Sequence, residues 1–392
     1  MPQTYDFETV LARREAGGIK WNLYEADVLP MWVADMDFRS PDCVTEAIVE
    51  RVQSHSVFGY HFEHAPLREV LTERMHTRYG WQVEAGQLVF LPSLVVGLNL
   101  MCQLYGGGAG ADVATFAPIY PPFLGAPKNY GQTPSQAPMR VERVGSRLEV
   151  SIDWDAFEAC ITPKTRLLML CHPHNPLGYQ YSRADLERIL ALAERHDLTV
   201  VSDEIHCDLI LGDQPHIPFA SIAPEAAART VTLMAPSKTF NVPGLGLGFA
   251  IIQDPERLKA LTAAMWSGMV AHTGVVGLVG AEAAYRHGQP WLSAALAQIR
   301  RNRDAAVAFF ADTLPEVACT VPSATFLMWL DFRQTALADD PYKLLIERGR
   351  VALNNGKDFG LGGEGFARLN FACPPATLQD GLGRIARAVR GG

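Results

Sequence analysis

The stretch "RLLMLCHPHNPLGYQYSRADLERILALAERHDLTVVSDE", residues 166–204, decides the fold. It begins and ends in short apolar runs, "RLLMLCHP" and "LTVVSDE". Both are apolar on consecutive positions rather than alternate ones, the pattern of strands covered on both faces. Between them "SRADLERILALAERHD" carries apolar residues at positions 186, 189, 190 and 193 behind a candidate N-cap, Ser182. That spacing predicts an amphipathic helix.

Working outward, the same alternation runs from about residue 87 to 252, with further apolar runs "QLVFLPS", "DVATFAP", "TVTLMAPS" and "LGFAII". Strands alternating with helices predict an α/β domain with a mostly parallel sheet. After residue 253 the pattern changes to long helical stretches, "PERLKALTAAMWSGMV" and "QPWLSAALAQIRRNRDAAVAFFADTL". Two strand-like segments, "ATFLMWLDF" and "GFARLNFA", and a final helix, "TLQDGLGRIARAVR", follow. The expectation is a large domain over 42–285 and a smaller α+β domain made of 1–41 with 286–392.

Bulk properties narrow the class. The chain has 392 residues, 48% of them hydrophobic and 19% charged, enough to bury a sizeable core. Its net charge of −8 argues against nucleic acid as a partner, because phosphate binding needs a basic surface. The amino terminus has no apolar run of signal-peptide type, and the greasiest windows are too short to span a bilayer. Cys43, Cys102, Cys160, Cys171, Cys207, Cys319 and Cys373 are scattered with no CxxC pair. They read as reduced thiols of a cytoplasmic protein, with no metal site expected.

In open α/β sheets ligands bind beyond the carboxyl ends of the strands. The polar residues at those ends are Tyr120, Asn175, Asp203, His206, Ser237 and Lys238. A lysine, an aspartate, an asparagine and a tyrosine at one sheet edge suit pyridoxal phosphate (PLP). The lysine forms the covalent link to the aldehyde, and the aspartate pairs with the protonated ring nitrogen. Ser237 and neighbouring backbone N–H groups suit the phosphate. Each residue also has an ordinary account: a solvated lysine, a helix-capping aspartate, a turn asparagine before Pro176, a core histidine. Their joint order at successive strand ends carries the functional reading.

Longer tracts add a resemblance. "LPMWVADMDF", "FGYHF", "PIYPPF", "CHPHNPLG", "VVSDEIHCDL", "APSKTFNVPGLG" and "RVALNNGKDFG" run almost end to end. They resemble the class I/II aminotransferases, PLP-dependent enzymes of fold type I, and within them the MalY/PatB group of cystathionine β-lyases. The resemblance implies Lys238 as the PLP-bearing lysine and Asp203 as the ring-nitrogen partner. It implies Asn175 and His206 at the ring oxygen, Tyr120 stacked on the ring, and Ser237 with the turn Ser93–Leu94–Val95 around the phosphate. Tyr60 is implied to reach the phosphate of a neighbouring subunit, hence a homodimer with shared sites. Arg368 is implied to grip the substrate α-carboxylate, beside Ala34, Tyr120 and Asn175; a guanidinium fork suits that task.

The sequence departs from the wider family at three places. Ser93 stands where glycine is usual, Gly246 where many aminotransferases have a phosphate-binding arginine, and Pro375 where relatives often have arginine. The arginine missing at Gly246 favours a lyase, since the resembled lyase group also tends to lack it. The implied reaction is β-elimination from an S-substituted cysteine. The rivals are transamination, which shares every step up to loss of the Cα proton, and regulation through a protein partner.

Overall fold

A strand covered on both faces has no solvent side, and Leu167, Leu168, Met169 and Leu170 are all fully buried. In the computed structural model, which describes residues 5–61 and 64–391, that run is the middle of a large sheet. In chain order its strands are β1 (Leu88–Leu91), β2 (Asp112–Ala117), β3 (Thr133–Val144), β4 (Arg147–Ile152), β5 (Thr165–Cys171), β6 (Thr199–Asp203), β7 (Thr230–Met234), β8 (Gly248–Ile251), β9 (Ala318–Thr320), β10 (Leu327–Asp331), β11 (Asn354–Asn355) and β12 (Phe366–Asn370). Their order across the sheet is β11-β12-β10-β9-β4-β3-β2-β5-β6-β7-β8-β1.

The segment β3-β2-β5-β6-β7 is parallel, and β8 and β1 close its edge antiparallel. The mostly parallel α/β sheet expected from the sequence is therefore present. Its alternation is legible in the packing. Leu168 and Leu170 face one core with Leu186 and Ile189, whereas Leu167 and Met169 face the other with Leu94, Leu98 and Met101. Fully burying a side chain of this size stabilises the fold by about 1.5–3 kcal/mol.

The helix between β5 and β6 is α1 (Arg183–Arg195), and Ser182 caps it as expected. The Ser182 Oγ accepts from the Asp185 N–H, and the Asp185 carboxylate accepts from the Ser182 N–H in return. Such a cap contributes about 1 kcal/mol. One point of the sequence reading needs correction. The sequence reading placed no strand between 133 and 152, yet β3 and β4 form a hairpin there. Its alternating, partly exposed pattern lacks the continuous apolar run that marks the inner strands. The later strands join the same sheet. β9 pairs parallel with β4 at Cys319↔Arg147, so one continuous ladder joins the two halves. No described helix is long and apolar enough to cross a membrane.

Candidate active site

The parallel strands end on a cavity of about 350 Å³. Tyr120 follows β2, Asn175 follows β5, Asp203 ends β6, and Ser237 and Lys238 follow β7. All five line it, with His206, Ser93, Leu94, Val95, Ala34 and Arg368. The sequence thus named residues that the fold brings to one place. Tyr60 is the exception: it is 91% exposed in a single chain and is not part of this lining.

Burial sets the chemistry of the cavity floor. Burial, and next to it the Arg368 charge, push the Lys238 ammonium down to about 8, so the neutral amine is far more accessible than in an ordinary lysine. The Lys238 Nζ donates to the Ala34 carbonyl at 2.6 Å. Burial pushes the Asp203 carboxyl up to about 7, although its Oδ1 accepts from the Ile205 N–H at 3.2 Å. Desolvation holds His206 well below its ordinary value, hence neutral, and its buried Nδ1 has no hydrogen-bond partner.

Ser93 caps a second helix, α2 (Leu94–Tyr105), its Oγ accepting from the Val96 N–H at 3.3 Å. Its φ of −165° is extended backbone that any residue adopts, so serine in place of glycine brings no strain. The first N–H groups of α2 have no partner within the helix and turn the positive end of its dipole to the cavity. Gly246 sits at φ +61°, a conformation that disfavours any side chain, arginine included.

Arg368 lies on β12, and the register places Asn354 of β11 opposite it. Its guanidinium donates to Asn175 Oδ1 at 2.8 Å, to the Trp32 carbonyl at 2.9 Å and to Asn354 Oδ1. Burial lowers it to about 10, still charged at neutral pH, and its Nε lacks a partner. Asn354 was not singled out from sequence. Its signal was there in the tract "VALNNGKDFG", where two asparagines follow directly on an apolar run.

The wall of the cavity is the irregular segment around Trp32–Phe38. Asn370 Nδ2 donates to the Val33 and Asp35 carbonyls at 2.6 and 2.7 Å, and Asn241 Nδ2 to those of Met36 and Phe38 at 3.0 and 2.8 Å. Lys20, buried to 2% exposure, donates to the Asp35 carbonyl at 3.1 Å and to Asp37 Oδ2 at 2.8 Å. Arg13 pairs with Asp35 at 2.6 Å and with Asp37 at 2.9 Å. None of these supports is legible in the sequence, because each meets a carbonyl or carboxylate that only the finished fold brings near it.

Comparison with known proteins agrees with this geometry. The family of class I and II aminotransferases matches residues 26–385. The cystathionine β-lyase PatB of Bacillus subtilis (strain 168) is 40% identical over 370 residues, 93% of each chain. The crystal structure of OvoB superposes with a TM-score of 0.92 at 42% identity, covering 99% of this chain and 100% of that one. Cystalysin from Treponema denticola, whose crystal structure contains a pyridoxal 5'-phosphate cofactor, superposes with a TM-score of 0.93 at 28% identity over 99% of each chain. The cavity at the strand ends, its lone lysine and a match along nearly the whole length agree: the chain belongs to the class I and II aminotransferase family, in its cystathionine β-lyase group.

Proposed function

We propose that the protein is a PLP-dependent carbon–sulfur β-lyase, cleaving cystathionine or related S-substituted cysteines to a thiol, pyruvate and ammonia. The observation that carries this reading is the convergence of Lys238, Asp203 and Arg368 on one cavity in a chain so similar to a cystathionine β-lyase.

The residues present fit the cofactor. A buried amine with a lowered proton affinity suits an aldehyde, and a carboxyl that burial holds near 7 suits a protonated ring nitrogen, whose charge would compensate it. The unpartnered His206 Nδ1, with Asn175, suits the ring oxygen. The α2 amino terminus, with Ser93, Leu94, Val95 and Ser237, suits a phosphate. Tyr120 supplies an aromatic face. When bound, PLP supplies the carbonyl carbon that takes the substrate amine and the ring that accepts the electrons left at Cα.

This chain's residues do the rest. Lys238 holds the cofactor and, once displaced by the substrate amine, takes the Cα proton as a neutral base. The Ala34 carbonyl, already bonded to its Nζ, orients that amine. Arg368, immobilised by Asn175, Trp32 and Asn354, grips the α-carboxylate and aligns Cα with Lys238. The electron pair released at Cα forms a Cα–Cβ double bond as the Cβ–S bonding pair leaves with sulfur, which departs as the thiolate and takes up a proton to give the thiol. Hydrolysis of the remaining three-carbon fragment gives pyruvate and ammonia.

We also infer a homodimer in which Tyr60 completes the phosphate site of a second copy. The exposed apolar cluster Val57, Phe58 and Tyr60 supports it, at 75%, 59% and 91% exposure. The seven unpaired thiols support a cytoplasmic location. We infer as well a large domain over 42–285 and a small one made of 1–41 with 286–392, which line the cavity together; residues 1–4, 62, 63 and 392 lie outside the described residues.

Product analysis tests the reaction. PLP-loaded protein given L-cystathionine with no keto acid acceptor should release pyruvate, ammonia and homocysteine over many turnovers. A single turnover that restarts only when a keto acid is added would identify an aminotransferase instead.

A further inference from the structure

Directly after Asp203 the chain buries a second acid. Glu204 is fully buried, and its carboxylate is met by three donors: Ser202 Oγ at 2.8 Å, the Phe219 N–H at 2.9 Å and His216 Nε2 at 2.7 Å. Its side chain is absent from the cavity lining, and the reaction above makes no use of it.

Hydrogen-bond bookkeeping assigns the charge. If Glu204 carried a proton for His216 Nε2, the neutral imidazole would keep its hydrogen on Nδ1, which is buried and has no partner. An imidazolium would leave the same N–H unpaired. A neutral His216 donating through Nε2 leaves only an acceptor lone pair without a partner, the least costly arrangement. Burial keeps His216 neutral, to about 3, and likewise His172, whose ring centroid lies 4.3 Å from it. His172 Nε2 lies 2.9 Å from the Ile217 carbonyl, so that nitrogen carries the hydrogen. Beyond the histidines stand Asp208, held between Arg74 and Arg78, and Tyr79. Glu204 is the acid left to carry charge beside Asp203, against a burial that pushes it up to about 7. The two acids share one frame: the Asp203 carbonyl accepts from the His172 N–H, and the Glu204 N–H donates to the Leu233 carbonyl.

We propose that Glu204 is a positioning residue for the cofactor ring: as an ionised carboxylate held behind Asp203 by Ser202, Phe219 and His216, it strengthens the negative field at Asp203 and so keeps the bound ring nitrogen protonated. The proposal rests on the PLP reading. It predicts that Glu204 matters only for a ring that has a nitrogen to protonate.

The test compares binding of PLP with binding of its 1-deaza analogue, in which carbon replaces the ring nitrogen, to apo wild type and to Glu204→Gln. Glutamine keeps the size and an acceptor for the Phe219 N–H but removes the charge. The expected result is PLP binding weakened about tenfold, the size of a one-unit change in proton affinity, with the analogue bound equally well or better. Equal weakening of both would overturn the proposal and leave Glu204 a structural tie. So would no change in either. Glu204→Asp, which keeps the charge and disturbs the ties, should retain the wild-type preference for PLP over the analogue, and loss of that preference would count against charge as the cause. Failure of the wild type itself to bind PLP would overturn the underlying reading instead.

Discussion

The floor and the wall of the cavity are held by different physics. The floor is backbone ladder: Asp203 pairs with Cys171 of β5 on one side and Leu233 of β7 on the other. The wall is not. From Trp32 to Met36, five consecutive carbonyls each accept from a side chain: Arg368, Asn370, Lys238, then Asn370 with Lys20, then Arg13 with Asn241. A ladder survives the change of any one side chain; a segment hung on side chains does not. Substitutions in the floor should therefore change chemistry with the fold intact, and substitutions behind the wall should change substrate binding and stability together.

The largest effect should come from Lys238→Ala. Pyruvate release should fall at least about a thousandfold, as expected for removal of an essential proton carrier, while the apo protein melts only slightly lower than wild type, because the Ala34 carbonyl loses the Lys238 donor. A large drop in melting temperature would break the contrast, by showing that the floor too depends on its side chains. Arg368→Lys comes next. It replaces a fork with a point charge and leaves the acceptors on Asn175, Asn354 and Trp32 partly unserved. Steady-state kinetics should show kcat/KM falling about a hundredfold, mainly through KM, as two charge-assisted bonds are lost.

Lys20→Met sharpens the wall. It leaves Asp37 buried with one partner fewer, and denaturant unfolding should show a loss of about 3 kcal/mol. Because Lys20 does not line the cavity, kcat should change less than KM; a fall in kcat alone would contradict the assignment of Lys20 to the wall. The smallest effect is a pH dependence of the apo protein. With its folded value raised from 3.8 to about 7, Asp203 keeps a proton that the unfolded chain gives up between those values. Its contribution to stability is complete at low pH and is lost as pH rises through that window. Apo Asp203→Asn should lack this loss, so its melting temperature should gain on wild type from pH 4 to pH 7. Parallel curves for the two proteins would show that Asp203 is already paired without cofactor.

The same contrast explains what was legible in the sequence. Strands such as Leu167–Leu170 announce themselves by consecutive apolar residues, and the rule that ligands sit at strand carboxyl ends then points to Asn175, Asp203 and Lys238. Ser182 and its helix were readable because a cap and its first turn are neighbours in sequence. The β3–β4 hairpin was missed because its strands are partly exposed and mix charged with apolar residues. The wall was missed for a different reason. Asn241, Asn370 and Lys20 carry no local signal, since each acts on a carbonyl brought near only by the finished fold. Glu204, in "VVSDEIHCDL", carries no signal of its own, because an acid beside another has no pattern until its three donors are seen.

The most direct test of the central claim, that the amine of Lys238 holds the cofactor, is chemical trapping. Protein loaded with PLP is reduced with borohydride and digested, and the peptides are sequenced by mass spectrometry. The account predicts a pyridoxyl group on Lys238, with Lys20 unlabelled in its buried ion pair. Label on any other lysine, or none with cofactor demonstrably bound, would contradict it.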